Sequence, residues 1–533
     1  MRRLVVTAVV GLTALAGLQI ASGALLRGTP GADRLVGTPA VDTVLGRGGN
    51  DLIDGRGGAD LLAGGAGDDR LAAASDGSRD RVRCGTGLDV VTADLGDVVA
   101  ADCEVVSRQL SYDTTTDARS QHATQVEPDS FSVGATTVAV FQSGRMPDGG
   151  AAAISFATTR DAGATWHAGP LPGLASAERG VDRVSDPVVA YDALHRIWLV
   201  SALRIADERL QIVIVRSSDG VRWGRPVVAA QDQLEDYDKE WLTCDRGAAS
   251  PFRGSCYLAY VDVDKQVIAI RRSRDGGLTW SGAILAALNP AVGVSGPVPV
   301  VRPDGTLVIP FAVSGALNGV DAIAAVRSTD GGTTFSAPVR VSTLEAEYVS
   351  DVRAPALPSA DVDAAGTVYV VWSDARFTGD DLANDVVLSR SRDGRAWSAP
   401  ERIPLSTPHV RLDHFLPAIA VEPGTSGGQA RLAVVAYTIL KPQACSFVVC
   451  VRTIDAELAR SDDAGATWRR PQRLDAEPIA LRWLADGGFG AMLGDYVSVS
   501  WTRGRPLPVL ALAAEPVHGR LREAIFATTQ LPR

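Results

Sequence analysis

The sequence predicts an all-β protein in which a β-propeller, a ring of four-stranded blades, follows a small N-terminal parallel β-roll. Two independent repeats predict it. The first is a short pattern, approximately Ser-x-Asp-x-Gly-x-Thr-Trp, present at Thr159 to Trp166, Ser217 to Trp223, Ser273 to Trp280, Ser328 to Phe335, Ser391 to Trp397 and Ser461 to Trp468. Its aspartates (Asp161, Asp219, Asp275, Asp330, Asp393, Asp463) recur every 55 to 70 residues, the period of one supersecondary unit. The second is a nonapeptide, Gly-Gly-x-Gly-x-Asp-x-apolar-x, running from Gly28 to Ala72 with aspartates nine residues apart.

Taken in chain order, residues 1–23 read as a secretory signal. Arg2 and Arg3 precede an uncharged apolar stretch from Leu4 to Ile20, and the small residues Ala21, Ser22, Gly23 and Ala24 follow. An uncleaved membrane anchor is the alternative. Both place the rest of the chain outside the cell, secreted or held at the surface, and cleavage leaves no membrane span.

Residues 24–75 form the expected roll. Asp33, Asp42, Asp51, Asp60 and Asp69 keep the nine-residue spacing, and Leu35, Val44, Ile53, Leu62 and Leu71 keep the same register. A disordered Gly/Asp linker would not hold an apolar residue in strict phase. The segment resembles the calcium-binding RTX repeat, in which two nonapeptides make one coil, so aspartates 18 residues apart share a flank. The resemblance implies calcium at these five aspartates, and carboxylate and carbonyl oxygens in a Gly-rich loop are the hard ligands calcium takes. The second repeat, Gly37-Thr38-Pro39-Ala40, departs from the pattern.

So few coils make a small core, which calls for a cap, and residues 76–108 are expected to supply it. They hold Asp80 and Asp89, again nine apart, with Cys84 and Cys103. Proximity sorts the six cysteines into Cys84 with Cys103, Cys244 with Cys256, and Cys445 with Cys450, and an even count in a secreted chain reads as disulfides. Residues 109–124 read as a linker, and 125–533 as the propeller.

In the propeller each short pattern suits a turn, because Ser and Asp side chains take up local N–H groups and Gly supplies a positive φ. Apolar runs of strand character precede it, such as Leu210 to Val215 and Ala322 to Val326. Three strands before the turn and one after make a blade. The patterns resemble the Asp boxes of the sialidase superfamily, over roughly residues 125 to 533. After the last box, Tyr496 to Trp501, Pro508 to Ala514 and Glu523 to Thr529 read as three further strands. They make a seventh blade; six blades is the alternative count.

The resemblance implies a site at the mouth opposite the boxes. A sialidase clamps its substrate carboxylate with three arginines and uses a tyrosine nucleophile, activated by a glutamate, with a carboxylic acid as proton donor. The first arginine of the family belongs where this chain has Val126-Glu127-Pro128. The catalytic candidates are Tyr496, Asp495, Asp238, Glu240 and Asp148; the substrate-binding candidates are Lys239, Arg145, Arg353, Arg376 and His414.

A net charge of −10 argues against nucleic acid as a partner. Extracellular glycans or glycoproteins are the expected partners, and calcium the expected cofactor. Three functions remain open: a secreted sialidase-like glycoside hydrolase, a non-catalytic glycan- or protein-binding propeller with a calcium-dependent attachment module, or a propeller lyase or other hydrolase.

Overall fold

The computed structural model describes residues 23–231, 236–286, 293–315, 321–379, 383–406, 411–442 and 452–532. The expected signal segment, apart from Gly23, and the Cys445/Cys450 couple lie outside the described residues.

The nonapeptides coil into two parallel sheets. One holds Leu25–Arg27, Thr43–Gly48, Leu61–Ala66, Arg81–Thr86 and Val98–Val99; the other begins with Arg34–Val36, Leu52–Asp54, Arg70–Ala73 and Val90–Ala93. Their register is 18 residues per coil, with Val44 beside Leu62 and Leu35 beside Ile53. The phased apolar residues therefore stack: Val44, Ile53, Leu62, Leu71 and Val91 are wholly buried between the sheets. The segment expected as a cap carries the Cys84–Cys103 disulfide and is built as continuing coil, with Leu62 beside Val82 and Leu71 beside Val91.

The roll meets the ring before the expected linker, whose residues 110–120 carry no strand. Its second sheet continues through Val105–Gln109, which lies parallel to Val90–Ala93 and antiparallel to Glu523–Gln530 near the C-terminus. Roll and propeller thus share one eight-stranded sheet, which runs on to Arg505–Ala513 and Ser498–Thr502.

The remaining strands form antiparallel units. Blade 1 starts at Gln121–Val133, blade 2 at Val181–Asp192, blade 3 at Tyr237–Cys244, blade 4 at Gly293–Ser295 with Val300–Val301, blade 5 at Ser359–Val362 and blade 6 at Leu412–Val421. Blade 7 is Ser498–Thr502, Arg505–Ala513 and Glu523–Gln530, completed from outside by Val105–Gln109. The seven innermost strands touch in cyclic order, and blade 7 touches blade 1, so the ring is closed.

The six boxes sit between the third and fourth strands of blades 1 to 6 and work as turns. In blade 1 the Thr159 hydroxyl meets Asp161 at 2.8 Å and receives the Gly163 N–H at 2.9 Å, while Asp161 accepts the Thr165 N–H at 2.8 Å. The box aromatics, Trp166 among them, are partly buried pegs against the blade cores. Cys244 and Cys256 are bridged across the first two strands of blade 3.

The inner strands share a second device. Glu127, Asp186, Lys239 and Leu416 adopt φ of 52°, 51°, 51° and 51°, and Gly296 adopts 58°. In blades 1, 2, 3 and 6 the pairing register slips at that residue, which makes a bulge. Bulges re-aim side chains, and strands 1 and 3 run down from the mouth, so these residues lie at the end opposite the boxes.

Candidate functional site

The bulges of blades 1, 2 and 3 bring Glu127, Asp186 and Lys239 together, and blade 7 adds Asp495. The Lys239 ammonium is paired with Asp495 and lies 3.5 Å from Asp186 Oδ2 and 3.9 Å from Glu127 Oε1. Arg353, from the loop before blade 5, gives Nε and NH2 to the two oxygens of Asp495, each at 2.6 Å. Glu127 accepts the Asp495 N–H at 3.0 Å and the Gln142 amide. Gly494 permits this approach: a Cβ there would stand 2.9 Å from both Cα and Cγ of Glu127, at a φ of 147°.

The carboxyls differ in acidity. Burial, then the charge of Asp186, pushes Glu127 up to about 8. Burial and Asp186 raise Asp238 as well, and Glu240 well above the usual range. Asp495 goes the other way: against the cost of burial, the Lys239 ammonium and the Arg353 guanidinium hold it well below the usual carboxylate range. Glu127, Glu240 and Asp495 are each no more than 2% exposed, whereas Asp238 is half-buried at the rim. Within the ring lies a cavity of about 480 Å³, a stretch of the central channel lined by Lys239, Glu240, Trp241, Asp495 and Tyr496 among others but not by Glu127, Asp186, Asp238 or Arg353. Arg246 borders the same channel and stacks over the Phe131 ring at 4.6 Å.

Among the candidates read from the sequence, the structure gathers Asp238, Lys239, Glu240, Asp495, Tyr496 and Arg353. Tyr496 is engaged as a wall: its hydroxyl donates to the Pro187 carbonyl at 3.0 Å and its ring meets Trp241 edge-on at 5.2 Å. Burial, followed by Glu127, Asp186 and Glu240, raises its pKa well above 10, the opposite of an activated nucleophile. Arg145 is buried behind the cluster, donating to Gln142 and to the Gly150 carbonyl. Asp148 stands 70% exposed on the rim, paired with Arg183 at 3.0 Å. Arg376 is spent on both oxygens of Asp374. His414 is buried against blade 5, its Nδ1 at 3.0 Å from the Asn384 carbonyl, and does not reach the channel.

Gln142 was not among the candidates, and Asp186 was expected in the polar ring of entry loops without a role of its own. A signal for Asp186 exists: Glu127-Pro128, Asp186-Pro187, Gly296-Pro297 and Leu416-Pro417 mark the bulge position in four blades.

The roll offers a second, separate set of carboxylates. Each aspartate gives one oxygen to the N–H of the aspartate one coil earlier: Asp51 to Asp33 at 2.8 Å, Asp60 to Asp42 at 2.7 Å, Asp69 to Asp51 at 2.8 Å. Asp80 and Asp89 extend the two ladders. The other oxygen of Asp51, Asp60, Asp69 and Asp89 is buried without a hydrogen-bond partner. Burial pushes Asp60 up to about 7 and Asp69 up to about 6. The glycine five residues before each aspartate leaves the room: a Cβ on Gly46 or Gly64 would come within 2.2 or 2.3 Å of the carboxylate of Asp51 or Asp69. No group of three or more His, Cys, Asp or Glu side chains gathers as a metal cage among the described residues. Rows of single orphaned carboxylate oxygens in glycine loops fit a cation held jointly with main-chain oxygens, which is calcium chemistry.

The family model of the RTX calcium-binding nonapeptide repeat matches residues 27–62 and 36–71. No curated protein matches the chain. Solved structures similar to it include the intramolecular trans-sialidase of Ruminococcus gnavus (13% identity, 61% of this chain and 92% of that one, TM-score 0.42). The Penicillium chrysogenum α-L-arabinanase is similar at 16% identity (62% and 93%, TM-score 0.41), and an ulvan lyase, a polysaccharide lyase, at 9% (78% and 96%, TM-score 0.44). These likenesses are distant. No helix of the described residues is long and apolar enough to cross a membrane, and the repeats with two disulfides indicate an extracellular protein. The chain carries calcium-binding RTX repeats, joined through a shared sheet to a closed ring of antiparallel blades.

Proposed function

We propose that the protein is a secreted glycoside hydrolase built on a seven-bladed, sialidase-like propeller, acting on extracellular glycans or glycoproteins at the mouth formed by blades 1, 2, 3 and 7. One observation carries this reading: Glu127, Asp186 and Asp495 from three blades surround Lys239, with Asp238 and Glu240 beside it in blade 3, and Glu127, Asp238 and Glu240 are raised in pKa while Asp495 is lowered. Glycoside hydrolysis needs a carboxyl that keeps its proton beside one that does not. Asp238, at the rim and raised by burial and by Asp186, is the proton donor. Asp186, with Oδ2 free of hydrogen bonds, is the partner carboxylate. Lys239 and Arg353 hold Asp495 ionised and fix the constellation, and Tyr496 with Trp241 forms the wall. In the roll, Asp33, Asp42, Asp51, Asp60 and Asp69 hold calcium, which supplies positive charge to the carboxylate ladders.

Turnover of a panel of aryl glycosides tests the reading. Asp238→Asn is expected to lower kcat by about 10²- to 10⁴-fold with thermal melting unchanged; undiminished turnover removes Asp238 from its role. The near-complete burial of Glu127, Glu240 and Asp495 favours a second reading, a glycan-binding propeller without catalysis. Retention of glycans with no turnover anywhere in the panel establishes that one.

A further inference from the structure

The mouth has few free cations and several free acceptors. Arg353 is chelated by Asp495, Arg376 by Asp374, and Arg145 is buried on Gln142 and the Gly150 carbonyl. Lys239 lies among three carboxylates, and the rim Arg183 is divided between Asp148 and Asp182. Each of these cations at the mouth is engaged, with Arg145 Nε their only buried unbonded nitrogen, and Arg246, which has no ion pair among the described residues, sits over Phe131 past the far end of the first strand of blade 3.

The acceptors are in the opposite condition. Both carboxyl oxygens of Glu240 are buried with no hydrogen-bond partner among the described residues, and Asp186 Oδ2 has only the Lys239 ammonium at 3.5 Å. Glu240, 1% exposed, lines the channel, and Asp186 is the charge that acts on it most strongly. Buried acceptors without donors cost free energy until a donor arrives. A ligand ammonium brings three N–H donors, and its charge favours ionisation of the Glu240 carboxyl. A ligand carboxylate brings only further acceptors into a site already rich in them.

We propose that the mouth selects glycans carrying a protonated amine, as in a de-N-acetylated hexosamine unit, over their N-acetylated counterparts and over glycans carrying carboxylates, with the ammonium seated against Glu240 and Asp186. Trp241 and Tyr496 line the same stretch of channel and give the sugar ring an apolar wall. A cavity of about 480 Å³ falls in the range that holds small ligands. The proposal rests on the mouth being a glycan site, whether catalytic or not.

Calorimetric titration of the full-length, calcium-loaded protein tests it with three probes at pH 6: a glucosamine hexamer, its N-acetylated form and a galacturonate hexamer. The glucosamine hexamer is expected to bind about tenfold tighter than the N-acetylated one, and Glu240→Gln and Asp186→Asn are expected to erase that difference, each losing about 1.4 kcal/mol. A net charge of −10 attracts any polycation weakly, so an amine preference intact in both variants overturns the proposal. So does a galacturonate hexamer that binds as tightly and competes with the glucosamine hexamer, although the glycan site then stands. Binding of none of the three overturns the glycan reading together with the proposal. The wild-type comparison stands alone if either variant fails to fold.

Discussion

Glu127, Asp186 and Lys239 hold one structural position in three successive blades, and their left-handed backbone aims three charges at one point. Such conformations are strained in non-glycine residues and persist where the surroundings enforce them. Lys239 is the hub. Replacing it with Met leaves Asp495, Asp186 and Glu127 facing each other in a buried site, and is expected to destabilise the protein by about 3–5 kcal/mol, read from urea unfolding. Glu127 gives a pH dependence of known sign. Its folded value of about 8 lies above the unfolded carboxyl, so the folded protein holds a proton that the unfolded chain has released. Its contribution is fully present below about pH 4.3 and is lost as pH rises towards 8. Glu127→Gln should flatten that part of the slope in unfolding measured at pH 5 and pH 8; an identical slope contradicts the assignment. At this scale the sequence was half legible. Asp186, Asp238, Lys239, Glu240 and Asp495 stand out as charges leading into inner strands, whereas their convergence shows only once the recurring X-Pro bulge is placed. The Tyr496 hydroxyl is committed to the Pro187 carbonyl two blades away, an engagement that leaves no trace in local sequence.

Elements were read best where local chemistry decides them. The boxes form because Ser, Asp, Gly and Thr satisfy one another within eight residues, and the roll forms because Leu35, Val44, Ile53, Leu62 and Leu71 recur in phase. The strand Val105–Gln109 escaped notice: its partner near Thr528 lies some four hundred residues away, and no periodicity announces such a pairing. That strand clasps the ring. Ser107 Oγ reaches the Leu474 carbonyl at 2.7 Å and the Thr528 hydroxyl at 2.9 Å, and Arg70 of the roll is paired with Asp475 of blade 6 at 2.7 Å. Deleting residues 1–109 is therefore expected to lower the melting temperature of what remains, by exposing the edge of Glu523–Gln530. A propeller that melts unchanged without them contradicts the clasp. Reduction of Cys84–Cys103, which joins positions 19 apart in sequence beside the clasp, is expected to cost about 3 kcal/mol on the chain-entropy estimate, read as the midpoint shift with and without reductant.

One sheet of the roll is continuous with blade 7, so calcium should be felt beyond the roll. Removing it leaves the carboxylate ladders uncompensated, and chelation is expected to lower a melting transition shared by roll and propeller. Separate transitions, with the propeller indifferent to chelator, would show that the shared sheet transmits nothing. Ring closure also explains why charges from blades 1, 2, 3 and 7 can meet at all: blade 7 reaches Glu127 only because the last blade returns to the first. A glycan site at that meeting point is tested most directly by a crystal structure of the calcium-loaded chain with the tightest-binding oligosaccharide from the titrations. Sugar is expected in the channel mouth, bonded to Asp186, Asp238 or Glu240, with Trp241 against its ring. Ordered sugar on the box face or along the roll, with the mouth bare, would contradict it.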